Sequence, residues 1–162
     1  MDYTVQAVPA AATWALRRQV LRPTRADTEL ALPDDDGPST GTYAALDRDS
    51  TVVSSARVAP SPRPPILEAA SASGPVWRLR GMATRPDLRG QGIGARVLGR
   101  AITHVAEHGG GVLWCNARLP ARSLYHRAGF VEAGEPWDDP EIGPHVVMWR
   151  EVDSLSAAPD RS

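Results

Sequence analysis

Hydrophobic and polar residues alternate along this chain with two periods, one typical of strands and one typical of helices. Residues 93–108 repeat apolar side chains at helical spacing, among them Ile93, Val97 and Val105. Residues 76–84 alternate with the period of two that a half-buried strand requires. The remaining patterns predict strands at residues 3–8, 41–46, 51–58, 112–116, from 130 onward and 145–152, and helices at 13–21 and 121–128. This order of elements predicts a mixed α/β sheet with helices on its faces.

The alternation assigns the side chains of two elements to opposite faces. In the strand at 76–84, one face takes Val76, Arg78, Arg80 and Met82, and the other takes Trp77, Leu79, Gly81 and Ala83. A glycine inside a strand is typical of a bulge or a close backbone approach, so we expect one at Gly81. In the helix at 13–21, Arg17 and Arg18 lie away from the apolar side.

The length of the chain, 162 residues, is that of one domain. We expect residues 1–152 to form it and residues 153–162 to be a flexible tail. The proline-rich residues 60–75 are predicted to be a surface connection, because the segments on either side are too small and too poor in apolar residues to fold separately.

Composition and charge exclude several classes of function. The net charge is −1, which argues against broad attraction to nucleic acid. All 18 basic residues are arginines, and the absence of lysine excludes Schiff-base chemistry and the lysine-containing phosphate loop of nucleotide hydrolases. The single cysteine, Cys115, cannot form an internal disulfide, and neither a signal peptide nor a membrane-length apolar run is evident. We therefore expect a cytoplasmic protein that binds neither nucleic acid nor membrane.

Three alternating glycines at residues 90–94 stand where a loop becomes the predicted helix. The first N–H groups of a helix lack intrahelical partners, and the helix dipole adds positive charge there. Glycines leave these groups uncovered by side chains, and such a place binds phosphate. The sequence therefore predicts a ligand that carries phosphate groups.

A dinucleotide such as NAD or a flavin is one candidate for this ligand, since residues 90–95 also satisfy the dinucleotide-binding glycine pattern. That pattern requires an acidic residue at the end of the next strand, where this chain has Asn116. Residues 85–89 also make the turn between strand and glycines long, and too little chain follows to complete a doubly wound sheet. These departures disfavour a dinucleotide-dependent oxidoreductase.

With Arg89 included, the loop Arg89-Gly90-Gln91-Gly92-Ile93-Gly94 resembles the pyrophosphate-binding loop of the GNAT superfamily, the acyl-CoA-dependent N-acyltransferases. The segments Asn116-Ala117-Arg118 and Tyr125 to Gly129-Phe130 follow in the order and spacing of that family. The resemblance covers residues 76–131. It implies a mixed, mostly antiparallel sheet with helices on both faces and a splayed pair of parallel strands, at 76–84 and 112–116.

The resemblance also implies which residues bind and react. Acetyl-CoA, the implied cosubstrate, would be bound by Met82, Ala83, Thr84, Arg89, Gly90, Gln91, Gly92, Ile93, Gly94, Ala95, Asn116 and Tyr125. Tyr125 is the candidate general acid for the departing thiolate, because a phenol can donate a hydrogen bond or a proton to sulfur. Two structural alternatives stay open, namely that Tyr125 is a core aromatic residue and that Asn116 only caps its strand.

The general base is not identified by the resemblance. Many members carry a glutamate on the strand equivalent to residues 76–84, and this chain has none there. Other candidates are Glu68, Asp34, Asp35, Asp36, Asp138, Asp139, Glu141 and His145, or a water relay. His104 and His108 have a spacing compatible with metal binding, but no third ligand is evident, so we expect no metal.

The predicted function is therefore transfer of an acetyl group from acetyl-CoA to an amine by direct attack in a ternary complex. A non-catalytic acyl-CoA-binding module is the alternative, motivated by the missing glutamate. The acceptor amine is not specified by any motif, and a homodimer is expected from the resemblance alone.

Overall fold

A seven-stranded sheet runs through the computed structural model, which describes residues 1–68 and 74–155. The strands are β1 (Thr4–Ala7), β2 (Gly41–Leu46), β3 (Val52–Pro60), β4 (Val76–Thr84), β5 (Gly111–Arg118), β6 (Val131–Asp139) and β7 (Gly143–Val152). Their order in the sheet is β1-β2-β3-β4-β5-β7-β6, and within these described strands only β4 and β5 pair in parallel. The predicted mixed, mostly antiparallel sheet is confirmed.

Three α-helices cover this sheet in the described ranges: α1 (Trp14–Leu21), α2 (Ile93–Glu107) and α3 (Arg122–Arg127). The apolar stripe of α2 is fully buried, with Val97, Ala101 and Val105 at 0% exposure. It forms one core with the inward side chains of β2 to β5 and β7. Helix α1 lies against β3 and β4. Among the described residues, no helix has the length and apolar character needed to span a membrane.

A β-bulge interrupts β4 where the sequence predicts one. The register between β3 and β4 shifts between Ser55 and Arg57, because β4 contributes one extra residue there. Gly81 adopts the left-handed conformation at φ +64°, and its carbonyl accepts a hydrogen bond of 2.8 Å from the Ser55 hydroxyl. The bulge expected at Gly81 is confirmed.

The bulge reverses the alternation beyond it, so the predicted side of Met82 is wrong. Met82 points toward α2, with its methyl carbon 3.5 Å from the position that a Cβ on Gly94 would occupy. The predicted side of Ala83 is wrong as well, because Ala83 pairs with Ser55 on the face that carries Arg80. An extra residue in a strand moves every later side chain to the opposite face.

The parallel pair splays as the resemblance implies. Strands β4 and β5 pair only through Val76 with Val112, Trp77 with Leu113 and Arg78 with Trp114. Beyond these positions β4 stays paired with β3, and β5 stays paired with β7. A gap therefore opens in the middle of the sheet. Residues 69–73 of the predicted connection and 156–162 of the predicted tail lie outside the described residues.

Candidate active site

A cleft of about 1020 Å³ opens where β4 and β5 part. Its walls come from both strands, the start of α2, and helices α1 and α3. The cleft brings together most of the predicted binding residues: Met82, Ala83, Thr84, Arg89, Gly90, Gly92, Ile93, Gly94, Ala95, Asn116 and Tyr125. Gln91 is exposed in the same loop and does not line the cleft.

The glycines of the loop have two different structural roles. Gly90 and Gly92 adopt left-handed φ values of +81° and +79°, and a Cβ on either would meet nothing within 4 Å. They are therefore required for backbone conformation, which other residues adopt only under strain. Gly94 lies against β4, where its Cβ would come within 3.0 Å of the Thr84 hydroxyl oxygen. It allows the helix to start close to the strand.

The N–H groups of residues 90–95 are left without acceptors by the described part of the chain. The first amide after the loop that bonds to a backbone carbonyl is that of Arg96, which donates to Gly92 at 3.2 Å. No acidic residue occupies the first turn of α2, and its 15 residues add a helix dipole pointing at the cleft. The arrangement fits an anionic group such as a diphosphate.

Tyr125 lies on α3 at the wall of the cleft, 5% exposed. Its ring contacts Phe130 edge to face, with 5.6 Å between the ring centroids. Burial raises the pKa of the Tyr125 phenol well above its ordinary value, so the hydroxyl stays protonated and can act as a donor. Cys115 also lines the cleft, but burial raises the pKa of its thiol, which disfavours a thiolate nucleophile.

The end of β5 connects the cleft to α1. Asn116 is exposed at the cleft. The Arg118 guanidinium donates to the carbonyls of Val20 at 3.5 Å and Leu21 at 3.2 Å. The last carbonyls of a helix lack intrahelical partners. Arg118 therefore caps α1 and holds it against the splayed end of β5.

Most of the acids proposed as bases are engaged in ion pairs or lie away from the cleft. Asp34 and Asp35 both pair with Arg57, whose side chain is 3% exposed. Glu141 pairs with two arginines of the opposite wall, Arg22 at 2.9 Å and Arg25 at 3.0 Å. Among the proposed bases, only Asp139 and His145 line the cleft; Glu68, Asp36 and Asp138 do not. The carboxylate of Asp139 accepts from the N–H groups of Glu141 and Ile142, and these bonds lower its pKa, which makes it a weak base.

His145 has the geometry of a proton acceptor. It is 4% exposed, and its Nδ1 lies 2.7 Å from the carbonyl oxygen of Gly143. A carbonyl only accepts, so Nδ1 carries a proton, and in the neutral tautomer that this contact selects, Nε2 is the nitrogen that can accept one. Trp137 stacks on the ring with centroids 5.7 Å apart. The register of β5 with β7 places His145 opposite Arg118, at the splayed end of the sheet.

The ring nitrogens of His104 and Nδ1 of His108 are engaged in hydrogen bonds within the protein. His104 accepts from the Tyr43 hydroxyl at Nδ1 and donates from Nε2 to the Ser39 carbonyl, both at 2.7 Å. His108 lies 4.0 Å from His104 between ring centroids, in a stacked arrangement. His104 thus connects α2 to the segment before β2.

Arginines of the cleft were not recognised from the sequence. Arg17, expected away from the apolar side of its helix, is 7% exposed and lines the cleft together with Arg78 and Arg80. The alternation placed Arg78 and Arg80 on one face but gave no sign that α1 adds a third arginine there. Only the packing of α1 on β4 reveals this cluster.

A splayed parallel pair beside a loop of unpartnered amides at a helix start fits an extended ligand that carries a phosphate group. Residues 10–130 match the model of the Acetyltransferase (GNAT) family, and the chain belongs to that family.

A known protein of similar sequence agrees with this assignment, and solved structures share the fold. The chain is 32% identical over 146 residues to the uncharacterized N-acetyltransferase YitI of Bacillus subtilis (strain 168), covering 90% of this chain and 94% of that one. A phosphinothricin acetyltransferase from Sinorhizobium meliloti, solved in complex with AcCoA, has a TM-score of 0.70 at 17% identity, covering 100% of this chain and 95% of that one. The ribosomal-protein-S18-alanine N-acetyltransferase from Escherichia coli has a TM-score of 0.69 at 15% identity, covering 97% and 98%.

Proposed function

We propose that this protein is an N-acetyltransferase that moves the acetyl group of acetyl-CoA to an amine by direct attack in a ternary complex. The observation that carries the proposal is the continuity of the cleft. It joins the unpartnered amides of residues 90–95 to the gap between β4 and β5, with Tyr125 on its wall. The AcCoA complex of the Sinorhizobium meliloti neighbour supports this choice of cosubstrate.

The residues present fit acetyl-CoA. The bare amides of the loop would hold its diphosphate, with Arg89 nearby to add positive charge. The backbone of Met82, Ala83 and Thr84 lies along the gap and would pair with the amides of the pantetheine arm. The side-chain amide of Asn116 would contribute from the facing strand.

Acetyl-CoA supplies an acyl thioester, and the chain supplies the proton transfers. His145 would take the proton from the attacking amine at Nε2, directly or through water, as the carbon–nitrogen bond forms. Backbone N–H groups near Met82 would donate to the carbonyl oxygen as it gains negative charge. Tyr125 would give its proton to the thiolate as the carbon–sulfur bond breaks.

The test is release of CoA thiol from acetyl-CoA over a panel of amines, together with direct binding of CoA by calorimetry. An active transferase releases thiol in proportion to the acetylated amine. Binding of CoA without turnover of any amine would instead indicate the non-catalytic module. Binding of NAD(P)H or flavin that competes with CoA would favour the oxidoreductase.

His145 is tested by His145→Gln, which removes the proton acceptor at Nε2. We expect kcat to fall about 100-fold while the affinity for acetyl-CoA is retained, because general-base catalysis contributes about 100- to 10,000-fold. His126→Gln is the matched control, since its side chain is 48% exposed and lies outside the cleft. Equal kcat values for the two variants would remove His145 from the chemistry.

A further inference from the structure

Three arginines face the cleft from the side of β4 opposite α2, and we call Arg17, Arg78 and Arg80 the arginine cluster. The Nε atom of Arg17 lies 2.6 Å from the position that a Cβ on Gly81 would occupy, so its guanidinium covers the bulge. The guanidinium carbon of Arg78 lies 4.6 Å from the ring centroid of Trp114. The cluster therefore lies beside the gap in which the thioester would be held.

Within the described residues, no carboxylate forms an ion pair with the arginine cluster. The Nε and Nη1 atoms of Arg17 and the Nε atom of Arg78 are buried without a hydrogen-bond acceptor. The carboxylates of Asp35 and Asp34 attract Arg17 and Arg80 electrostatically, but both are bound by Arg57. Burial lowers the pKa of Arg17, and it lowers that of Arg78 to about 10. A guanidinium is not deprotonated in proteins, so both groups carry a positive charge.

A buried guanidinium without an acceptor destabilises the protein that contains it. Arg17 is only 7% exposed, and it lines the cleft. Such a group requires an explanation, and a ligand that completes its hydrogen bonds is one. The planar guanidinium matches a carboxylate, to which it donates two parallel bonds.

We propose that the arginine cluster binds a carboxylate of the acceptor, so that the acceptor is a small amine that carries a carboxylate, as an amino acid does. This inference rests on the proposed N-acetyltransferase function. The diphosphate of CoA has its own amides at the start of α2, on the other face of β4. The cluster shares its face with Asn116 and His145 at the open end of the sheet, where an acceptor would approach the thioester.

The test compares amino acids with their primary amides as acceptors of acetyl-CoA, in matched pairs that differ in one negative charge. We expect acids to be used and amides to be used poorly. Arg17→Met should raise KM for the acids about 10- to 100-fold, because hydrogen bonds to charged groups are strong. The dissociation constant for acetyl-CoA should change less than KM for the acids, because the loop amides assigned to the diphosphate lie on the other face of β4, although Arg17 itself lies beside the gap.

Two further readouts do not depend on turnover. In the parent, preferred amino acids should raise the melting temperature of the CoA complex, and in Arg17→Met they should not. The melting temperature of unliganded Arg17→Met should equal or exceed that of the parent, because a buried charge is removed. Arg18→Met is the matched control on the same helix, since Arg18 is 38% exposed and paired with Asp27. Arg80→Met provides a second variant if Arg17→Met does not fold.

The contrary outcomes are separable. Amides acetylated as well as acids, or no amino acid that raises the melting temperature of the CoA complex, would overturn the inference and leave the transferase function intact. A preference for succinyl-CoA over acetyl-CoA that Arg17→Met abolishes would place the carboxylate on the acyl group and overturn the assignment to the acceptor. Absence of acetyl-CoA binding would overturn the proposed function itself.

Discussion

Replacement of Gly92 by alanine separates the conformational role of the glycine loop from any role of side-chain space. Gly92 precedes α2 at φ +79°, and a Cβ there would meet nothing within 4 Å. The substitution therefore adds no clash. Its whole effect comes from the left-handed backbone, which costs a residue other than glycine about 1–2 kcal/mol.

This cost should appear in the binding of CoA. Gly90, Gln91 and Gly92 are exposed, so the loop can relax away from the strained conformation when no ligand is bound. Binding would then have to restore it, which weakens CoA binding about 5- to 30-fold for a cost of about 1–2 kcal/mol. Isothermal titration calorimetry of Gly92→Ala and the parent with CoA measures this difference.

Gly99→Ala is the matched control, because Gly99 lies in α2 with helical backbone and open space around its Cβ position. Alanine is the better helix former by about 0.5–1 kcal/mol. We expect an unchanged CoA affinity and a melting temperature about 1–4 °C higher. If Gly92→Ala matched the parent in both CoA affinity and stability, the argument that its φ value shapes the binding loop would be refuted.

Three further perturbations have defined outcomes. Tyr125→Phe should lower kcat about 100-fold, the lower end of general-acid catalysis, with CoA affinity kept. Burial lowers the pKa of His104, so the neutral form stabilises the fold fully above the unfolded pKa of about 6.5, and this stability is lost as pH falls through the lower folded pKa. The decline is at most about 1.4 kcal/mol of unfolding free energy per pH unit. His104→Asn should flatten it, as measured by chemical unfolding at a series of pH values. Asp35→Asn should cost about 1.5–3 kcal/mol of unfolding free energy, because Arg57 is 3% exposed and loses one of its two carboxylate partners while it keeps Asp34.

Each of these predictions has its own control or contrary result. Parent-like turnover of Tyr125→Phe at every pH would assign Tyr125 to the core alone. A His104→Asn variant whose stability falls with decreasing pH as steeply as that of the parent would contradict the role of His104. Glu107→Gln breaks an ion pair whose side chains are 37% and 43% exposed, and should cost less than about 1 kcal/mol; a cost equal to that of Asp35→Asn would contradict the argument from burial.

The loop and the sheet could be predicted from the sequence because their signals are local. The glycines of residues 90–94 stand next to the helix that they open, and the bulge is marked by Gly81 itself. The predicted face of Met82 was wrong because the alternation of side chains reverses at the bulge, and the prediction continued it unchanged. A bulge moves every later side chain of its strand to the opposite face of the sheet.

The proposed acceptor side could not be predicted because it is assembled from distant segments. Arg17 on α1 meets β4 more than 60 positions later in the chain, and no local pattern marks a buried arginine on a helix. His145 is one of several candidate bases in the sequence, and only the register of β5 with β7, which places it at the splayed end, favours it over the others as our proposal. Its tautomer follows from the carbonyl of Gly143, which only the folded turn supplies.

A crystal structure of the protein with acetyl-CoA tests the central claim most directly. The account predicts diphosphate oxygens within hydrogen-bond distance of the N–H groups of residues 90–95, and the thioester in the gap between β4 and β5 beside Tyr125. A diphosphate bound elsewhere, or a thioester outside that gap, would contradict it.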